Sequence, residues 1–406
     1  MATREELNKK QFDEIINEEK REKRKKIVIL FLIIFWAFFT SRGYIHYDSD
    51  LYHAQSIRWI EEYGIVKGLG NLHVRLAYNS SIFAVSALYS MKFLLGQSLH
   101  TVNGFMALFL SISILDIMDS FQRKKFLLSD YVRIAAIYYL TLICDEIVSP
   151  ASDYAIMITI FYIVIKWAEA IEKKEKSIVP YALLCVGGVY AISLKLTAGL
   201  ILILLIKPAY MLIKEKRIKE IITYLSMGII VILPWIVRNV IISGYLVYPY
   251  PELDLFSFRW KIDAAVAALD AAEIKTWGRA LYNSTLVDLP INEWFGNWFY
   301  TTLSGTEKLI ILVDFVSIIM ALMIGIYVFI RKKWEHLDYL LVVLTILSSY
   351  VFWQLSAPLI RYGYAYTLLL IVLVFGFVKQ HIGFDKIVYY GIIIIGIIKF
   401  ILLLKY

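Results

Sequence analysis

The sequence has few charged residues and only two cysteines among its 406 residues. Asp, Glu, Lys and Arg make up 19% of the chain and hydrophobic residues 60%, with a mean hydropathy of +0.66. Globular domains are about 25% charged and about 45–50% apolar, so a soluble fold could not bury this much apolar surface. Cys144 and Cys185 both lie in apolar runs, which favours small buried side chains over a disulfide or a metal site.

Common catalytic motifs are also missing. The chain has no GxxxxGK[ST] phosphate loop, no GxSxG nucleophile turn and no HExxH zinc pair. Neither an internal repeat nor a pair of interrupted helices of the transporter kind is evident. These absences exclude the usual signatures of P-loop nucleotide hydrolases, α/β-hydrolases and zinc proteases.

Apolar runs of about 20 residues recur along the chain and predict transmembrane helices. The net charge of +8 comes largely from short clusters rich in Lys and Arg between these runs. This distribution is typical of charges that orient a membrane protein, not of a surface that binds nucleic acid. We therefore predict an all-α polytopic membrane protein with about 11 or 12 transmembrane helices and no nucleic-acid partner.

The basic clusters also predict the topology. Residues 1–25 are expected to form a charged cytoplasmic segment, helical or disordered, and residues 26–406 one membrane-embedded domain. Two outer loops are expected, 42–79 and 245–306. The first is expected to contain an amphipathic helix at the membrane interface, and the second an Ala-rich interfacial helix. The stretch 80–95 is expected to be re-entrant or interfacial, because a full crossing would break the alternation of sides. The last apolar run, which follows "KQH", is expected to be a further span.

Ionisable residues inside or beside the apolar runs are predicted to collect at the outer side. Such groups cost a few kcal/mol each at membrane depth and usually mark a functional cavity, although long side chains can also reach the headgroups from a helix end. We expect them to line one outward cavity, with Asp48 within about 15 Å of at least one cation, since more distant charges are screened. They are Asp48, Asp50, Asp153, Lys195, Arg238 and Arg361.

The stretch "YIHYDSDLYH" (44–53) places two acids directly after the first apolar run. Asp48 or Asp50 could take a proton from an attacking hydroxyl, or hold a divalent cation such as Mg²⁺ or Mn²⁺, so metal dependence stays open. His53 could supply a hydrogen bond or a metal contact. A solvated polar loop is the alternative for any one of these residues.

Cationic residues further along the chain indicate a site for a phosphate. Arg grips a phosphate through two parallel hydrogen bonds and Lys acts as a point charge, so we expect phosphate binding by Lys195, Arg238 and Arg361. For Arg238 the alternative is a charge at the lipid headgroups. Contacts to the rest of a substrate are expected from His53, His73, Arg75, Asn79 and Asp153.

Four stretches resemble the GT-C superfamily of integral-membrane glycosyltransferases, in a branch from bacterial surface-polysaccharide loci. They are "YDSDLYHAQSIRWIEEYGIVKGLGNLHVRLAYNSS", "SLKLTAG", "PWIVRNVIISGYLVYP" and "APLIRYGY", within residues 47–366. The resemblance implies a ring of membrane helices, a polyprenyl-phosphate-linked sugar as donor, and Asp48 as the catalytic acidic residue. Many relatives have two adjacent acids at this point, whereas Ser49 separates Asp48 from Asp50 here.

The function that this resemblance implies is sugar transfer to a hydroxyl of a glycan or a lipid-linked acceptor, with inversion and with Asp48 as general base. The implied location is the bacterial plasma membrane, among membrane lipids, with a cytoplasmic N-terminus and a site that faces outward. Three alternatives stay open: a flippase for lipid-linked sugars, a polysaccharide polymerase, and a non-catalytic assembly subunit.

Overall fold

The computed structural model describes residues 4–42, 46–123 and 125–382. In these ranges every regular element is a helix and no residue lies in a β-strand. The predicted all-α class is therefore confirmed. The last predicted span, after "KQH", lies outside the described residues.

Sixteen α-helices follow one another in the described part of the chain. A π-turn at Ser49–His53 precedes the second helix, and a 3₁₀-helix at Leu196–Leu205 precedes the tenth. The helices are α1 Arg4–Ser41, α2 Ala54–Tyr63, α3 Ser81–Leu88, α4 Lys92–Leu95, α5 Val102–Ile114, α6 Ile117–Arg123, α7 Leu128–Ile143, α8 Ser152–Glu172, α9 Ile178–Leu194, α10 Ile206–Lys214, α11 Ile218–Ser243, α12 Ala264–Gly278, α13 Ile291–Thr301, α14 Gly305–Ile330, α15 Leu337–Ser356 and α16 Tyr364–Ile382.

Six helical stretches of the described residues are long and apolar enough to cross a membrane. A span needs about 20 apolar residues, and the six stretches are Val102–Phe121, Ser152–Glu172, Leu196–Lys214, Ile218–Ser243, Gly305–Ile330 and Trp334–Ser356. Large apolar side chains on α11 and α14, such as Ile230 and Ile330, are exposed, which is typical of helices that face lipid. The protein is thus a polytopic membrane protein, while a total of 11 or 12 spans stays a prediction.

Helix α8 lies at the centre of the bundle. In its most apolar window 72% of the residues are buried, whereas only 22% are buried in that of α11. It packs against α5, α7, α9, α15 and α16, and its Phe161 and Trp167 are fully buried beside Tyr139 and Tyr181. A side chain at the first turn of α8 is therefore surrounded by several other helix ends.

The structure shows the secondary structure of two segments for which the sequence did not decide it, the N-terminal segment and residues 80–95. Helix α1 runs without a break through residues 25 and 26, so the charged N-terminal segment continues the first apolar helix. The stretch 80–95 is broken at Met91, whose φ of 55° is left-handed, into α3 and α4. With eight residues α3 is about 12 Å long, too short to cross a bilayer of about 30 Å, as expected for this stretch.

The helices predicted in the two loops are confirmed. The first is α2, which follows the π-turn. The second is α12, which begins where the Asp263 carboxylate accepts a hydrogen bond from the backbone N–H of Ala265, a common helix N-cap. Their position relative to a bilayer stays a prediction.

Candidate functional site

Five charged side chains from distant parts of the chain meet at one end of the bundle. Each comes from the end of an element or from a short loop: the segment after α1, the turn before α3, the first turn of α8, the residue after α9, and the 3₁₀-turn after α15. We call this set the ion cluster; its members are Asp48, Arg75, Asp153, Lys195 and Arg361. Asp48 therefore lies close to a cation, as predicted: its Oδ2 is 2.6 Å from Nη2 of Arg361.

Arg361 is the centre of the ion cluster. Its Nη2 lies 2.6 Å from Oδ2 of Asp48, and its Nε lies 3.2 Å from Oδ2 of Asp153. The same guanidinium donates to the Tyr362 hydroxyl at 3.1 Å and contacts the His46 ring. One planar side chain therefore bridges two carboxylates through different nitrogens, which a lysine could not do.

The remaining contacts extend the ion cluster on both sides. Asp153 Oδ1 is 2.5 Å from Lys195 Nζ, and Asp48 Oδ1 is 3.5 Å from Arg75 Nη1. Lys195 Nζ also lies 3.1 Å from the centroid of the Tyr362 ring, a cation–π contact. The order is Arg75–Asp48–Arg361–Asp153–Lys195, so three cations face two carboxylates and the cluster keeps one net positive charge.

The carboxylates are more deeply buried than the cations. The side chains of Asp48 and Asp153 are 11% and 9% exposed, whereas those of Lys195, Arg361 and Arg75 are 22%, 27% and 33% exposed. A ligand that reaches the cluster therefore meets mainly positive groups held from behind by acids. This arrangement suits an anion.

Indole hydrogen bonds hold the loop that carries Arg361. Ala357 and Pro358 end α15, because a residue before proline disfavours helical geometry. Trp298 Nε1 donates to the Pro358 carbonyl at 2.7 Å, and Trp353 Nε1 donates to that of Leu359 at 2.9 Å. The 3₁₀-turn that presents Arg361 is thus fixed to α13 and α15.

A second set of hydrogen bonds fixes the acids. Asn103 of α5 donates to the carbonyls of Ser149 and Ala151 at 2.8 and 3.0 Å, just before α8 begins. The Ser149 hydroxyl in turn accepts from the backbone N–H of His46 at 2.7 Å. Because Asp153 lies in the first turn of α8, the helix dipole also favours its negative charge.

Arg238 is linked to the ion cluster through Asn79 and Ser80 but is not in its chain of ion pairs. Its Nη1 donates to Asn79 Oδ1 at 2.5 Å, and Asn79 donates to the Trp235 carbonyl at 2.7 Å. The next residue, Ser80, donates to the carbonyl of Leu194, directly before Lys195. Among the described residues no carboxylate pairs with Arg238, although the side chain is buried. An unpaired buried cation is costly, which favours an anionic ligand for it.

Three of the predicted site residues take other roles. Asp50 is exposed and forms no ion pair with the described residues, so the structure does not bring this predicted catalytic residue into the ion cluster. His73 is exposed and caps a 3₁₀-turn by accepting from the backbone N–H of Arg75. His53 is buried near Ser49, and burial lowers its pKa to about 4, which keeps the ring neutral.

The donor set does not fit a divalent cation. Within the described residues no group of three or more His, Cys, Asp or Glu side chains is arranged to hold a metal. Both carboxylates of the ion cluster already face Arg or Lys, and these cations would repel a metal ion. The described residues therefore give no support to a site for Mg²⁺ or Mn²⁺.

Two further residues, His46 and Tyr362, belong to the site and were not among the predicted site residues. Burial and the Arg361 charge lower the pKa of His46, and its Nδ1 accepts from the backbone N–H of Asp48 at 3.1 Å. Tyr362 contacts both Lys195 and Arg361. The sequence signal that could have identified them is their position, since His46 lies two residues before Asp48 and Tyr362 directly follows Arg361.

An apolar cavity of about 1010 Å³ lies between α1, α5, α8 and α9. Its wall includes Thr159 on α8 and Tyr190 on α9. These residues are six and five positions from Asp153 and Lys195, a rise of about 8–9 Å along the same helices. Along the helix axes the cavity begins about 8–9 Å from Asp153 and Lys195. Most of its lining is apolar and no member of the ion cluster lines it, so the predicted site charges do not line this cavity as expected.

Comparison with known proteins identifies one relationship. No curated protein and no solved structure matches the chain. One family profile, described as a domain of unknown function (DUF8201), matches residues 2–368. This range contains the whole ion cluster, Arg238 and the apolar cavity. Because the match covers most of the chain, the protein belongs to the DUF8201 family.

Proposed function

We propose that the protein is a GT-C-type glycosyltransferase that moves a sugar from a polyprenyl-phosphate donor to a hydroxyl of a glycan or lipid-linked acceptor. The observation that carries the proposal is a buried carboxylate, Asp48, held between the cations Arg361 and Arg75 close to a large apolar cavity. An apolar chain attached to an anionic, sugar-bearing headgroup has the chemistry that these two neighbouring sites would recognise.

The phosphate would bind at the cationic side of the ion cluster. Lys195 and Arg361 lie on its Asp153 side, with side chains 22% and 27% exposed. Arg238 has no carboxylate partner among the described residues and is linked to the Lys195 end through Asn79 and Ser80. A sugar phosphodiester carries one negative charge, which matches the single excess positive charge of the cluster. The phosphate monoester left after transfer carries up to two, and Arg238 supplies the second positive charge.

Asp48 would act as general base. Its Oδ2 pairs with Arg361. A phosphate that accepts the hydrogen bonds of the Arg361 guanidinium would release Asp48 Oδ2 from Arg361. Asp48 then takes the proton of the acceptor hydroxyl while the hydroxyl oxygen bonds to the anomeric carbon. The bond from that carbon to the phosphate breaks, and inversion follows because attack comes from the opposite face.

The cations would contribute more than the base. Charge fixed in a water-poor site stabilises a departing phosphate by several kcal/mol, about 10²–10³-fold for each donor. A general base adds about 10²–10⁴-fold. The structure gives no reason to route a step through a metal, because the cluster carboxylates are paired with cations.

We place this site on the outer side of a bacterial plasma membrane. Asp153 begins α8, and the basic run 173–176 follows its other end, about 30 Å away for a helix of 21 residues. The basic residues after α10 and α14 likewise lie at helix ends remote from the ion cluster. Since basic loops favour the cytoplasm, the ion cluster and the loops above it would face outward.

Transfer by purified protein tests the proposal. The protein in lipid nanodiscs is incubated with a panel of polyprenyl-phosphate sugars and alkyl glycoside acceptors, and release of polyprenyl phosphate is measured. Asp48→Asn should lower the rate by about 10²–10⁴-fold with normal folding. Asp288→Asn, which changes an exposed loop acid in the same way, should not. Normal transfer by the Asp48 variant, or movement of intact donor across the bilayer without release of lipid phosphate, would refute it.

A further inference from the structure

Helix α12 lies against the two segments that carry Arg75 and Arg361. These two cations flank Asp48, since Arg75 faces its Oδ1 and Arg361 its Oδ2. Each cation belongs to a short 3₁₀-turn and not to a long helix, so its position depends on what holds that turn. Helix α12 is attached to the first segment near its middle and to the second at its end.

The middle of α12 is attached to the Arg75 turn through Asp270. This acid is 5% exposed and accepts a hydrogen bond from the Tyr78 hydroxyl at 2.8 Å. The Tyr248 hydroxyl, from the segment after α11, interacts with the same carboxylate. The backbone N–H of Tyr78 in turn donates to the Arg75 carbonyl at 3.2 Å. Because hydrogen bonds to a carboxylate are among the strong ones, α12 holds this turn firmly.

The end of α12 is attached to the segment after α15 through Arg279. The Nη2 of this side chain donates to the Leu355 carbonyl at 2.7 Å, in the last turn of α15, and its Nη1 donates to the Val287 carbonyl at 2.8 Å. The carbonyls in the last turn of a helix have no partner within the helix and carry the negative end of its dipole. A cation therefore suits this position.

The surroundings of Arg279 indicate that it joins segments. Its side chain is buried, with 6% exposed, and lies over the Trp294 ring at 4.9 Å. Its two hydrogen bonds go to backbone carbonyls and not to a carboxylate. Burying a cation in this way is costly, but a guanidinium can donate to two segments at once, which an ammonium group does less well.

The two attachments lie along one stretch of helix. Asp270 and Gly278 are eight residues apart, about 12 Å along an α-helix. Gly278 touches Ala357, four residues before Arg361, since a Cβ on Gly278 would lie 2.6 Å from the Ala357 Cα. An α-helix keeps its length, so the separation of the two segments follows from these contacts. The two cations are consequently held on either side of Asp48.

We propose that α12 sets the distance between Arg75 and Arg361, with Asp270 and Arg279 as positioning residues for the ion cluster. The inference rests on the proposed function only for what the cluster does, and the positions of the cations can be tested without transfer. It gives the loop 245–306 a role in the site, although no residue of this loop belongs to the ion cluster.

Double-mutant cycles on thermal stability test the inference. Arg279→Gln and Arg361→Met are made singly and together, and the apparent unfolding temperature is measured in nanodiscs at one heating rate. The loss caused by Arg361→Met should be smaller in the Arg279→Gln protein, because there the guanidinium has already lost its position at Asp48. Residues that act independently give additive losses. Arg259→Gln, which changes an exposed arginine of the same loop, is the matched control and should be additive with Arg361→Met.

A second cycle tests the other attachment of α12. Asp270→Asn and Arg75→Met together should lower the unfolding temperature by less than the sum of their separate losses. Glu273→Gln, which changes an exposed acid of the same helix, should be additive with Arg75→Met. Arg279→Lys keeps the charge but not the two-pronged donor, and takes the place of Arg279→Gln if that protein does not fold. Additive losses in either cycle would overturn the inference, since α12 must hold both segments.

The transfer assay separates this inference from the proposed function. A displacement of about 1 Å can cost about 10²-fold in rate, so Arg279→Gln should lower kcat by up to about that factor. The double variant should be no slower than Arg361→Met alone, because the same interaction is lost only once. Non-additive stability without transfer by the wild type would leave the positioning role standing and refute only the proposed function. Additive stability with transfer by the wild type would refute only the positioning role.

Discussion

Replacing Arg361 by Met removes a side chain that pairs with both Asp48 and Asp153. In Arg361→Met, Asp48 keeps the longer contacts to Arg75, at 3.5 Å, and to the His46 ring, at 3.6 Å, while Asp153 keeps Lys195 at 2.5 Å. Asp48 is therefore the more poorly compensated of the two buried acids. The variant tests whether the ion cluster is held together by charge, whatever reaction the protein performs.

The loss of stability can be estimated from the contacts. Removing one partner of a buried pair costs about 3–5 kcal/mol, and a pair about 4 Å apart near a surface interacts by about 4 kcal/mol. The Arg361 side chain is 27% exposed, so solvent screens part of this interaction. We expect a loss near the lower limit, about 3 kcal/mol, mostly from the stranded charge on Asp48.

A second substitution distinguishes a stranded charge from lost packing. Arg361→Met combined with Asp48→Asn removes the charge that the first change strands, and should recover about 1–2 kcal/mol, a normal coupling energy for residues in contact. Asp288→Asn in the same background removes an exposed charge and should recover nothing. The assay is the apparent unfolding temperature in nanodiscs, compared at one heating rate because membrane-protein unfolding is often irreversible.

Either of two results would refute this reasoning. One is an Arg361→Met protein as stable as the wild type, which would mean that the bridge contributes nothing measurable. The other is a double variant no more stable than Arg361→Met, which would mean that the loss comes from packing of the Arg361 side chain and not from its charge.

Gly363→Ala should destabilise the loop after α15 by about 1–3 kcal/mol, because a Cβ there would overlap the Trp353 ring; Gly296→Ala, which meets open space, is the control for thermal unfolding. Burial lowers the pKa of His53 to about 4, so between pH 6.5 and 4 the unfolded chain binds a proton that the folded chain does not. Stability should therefore be complete above pH 6.5 and fall by up to about 3 kcal/mol as the pH drops to 4; an unchanged pH dependence in His53→Asn would contradict this cause. Asp314 is fully buried in α14, and neither of its oxygens has a hydrogen-bond partner among the described residues. Asp314→Asn should therefore keep or raise stability, and a loss above about 1 kcal/mol, the average for substitutions, would reveal an interaction with the charge.

Much of the architecture could be predicted because it depends on local composition. Apolar run lengths predicted the long helices, and spacing predicted α2 and α12. The topology alone predicted that Asp48 and Arg361 lie on one side of the membrane, and the ion pair between them agrees with that prediction. These features need no knowledge of which side chains touch.

Other features depend on packing that a single sequence does not encode locally. Asp48 and Asp50 look equivalent, but Asp48 directly precedes a π-turn that contains Asp50, and positions two apart on a helical path point in different directions. Only Asp48 turns inward. Asp270 and Asp314 could not be recognised either, because each lies in a helical pattern that would equally suit an exposed acid, and burial is decided by the neighbouring elements.

The 3₁₀-helix after Lys195 has a mechanical consequence. Its ten residues rise about 2.0 Å each, whereas α-helical residues rise about 1.5 Å. Leu196–Leu205 is therefore about 5 Å longer than the same residues would be as an α-helix. If the segment rewound while α10 stayed fixed, Lys195 would be drawn by about that distance toward α10, out of reach of Asp153. The helix type of Leu196–Leu205 thus determines the position of the Lys195 ammonium group along the helix axis.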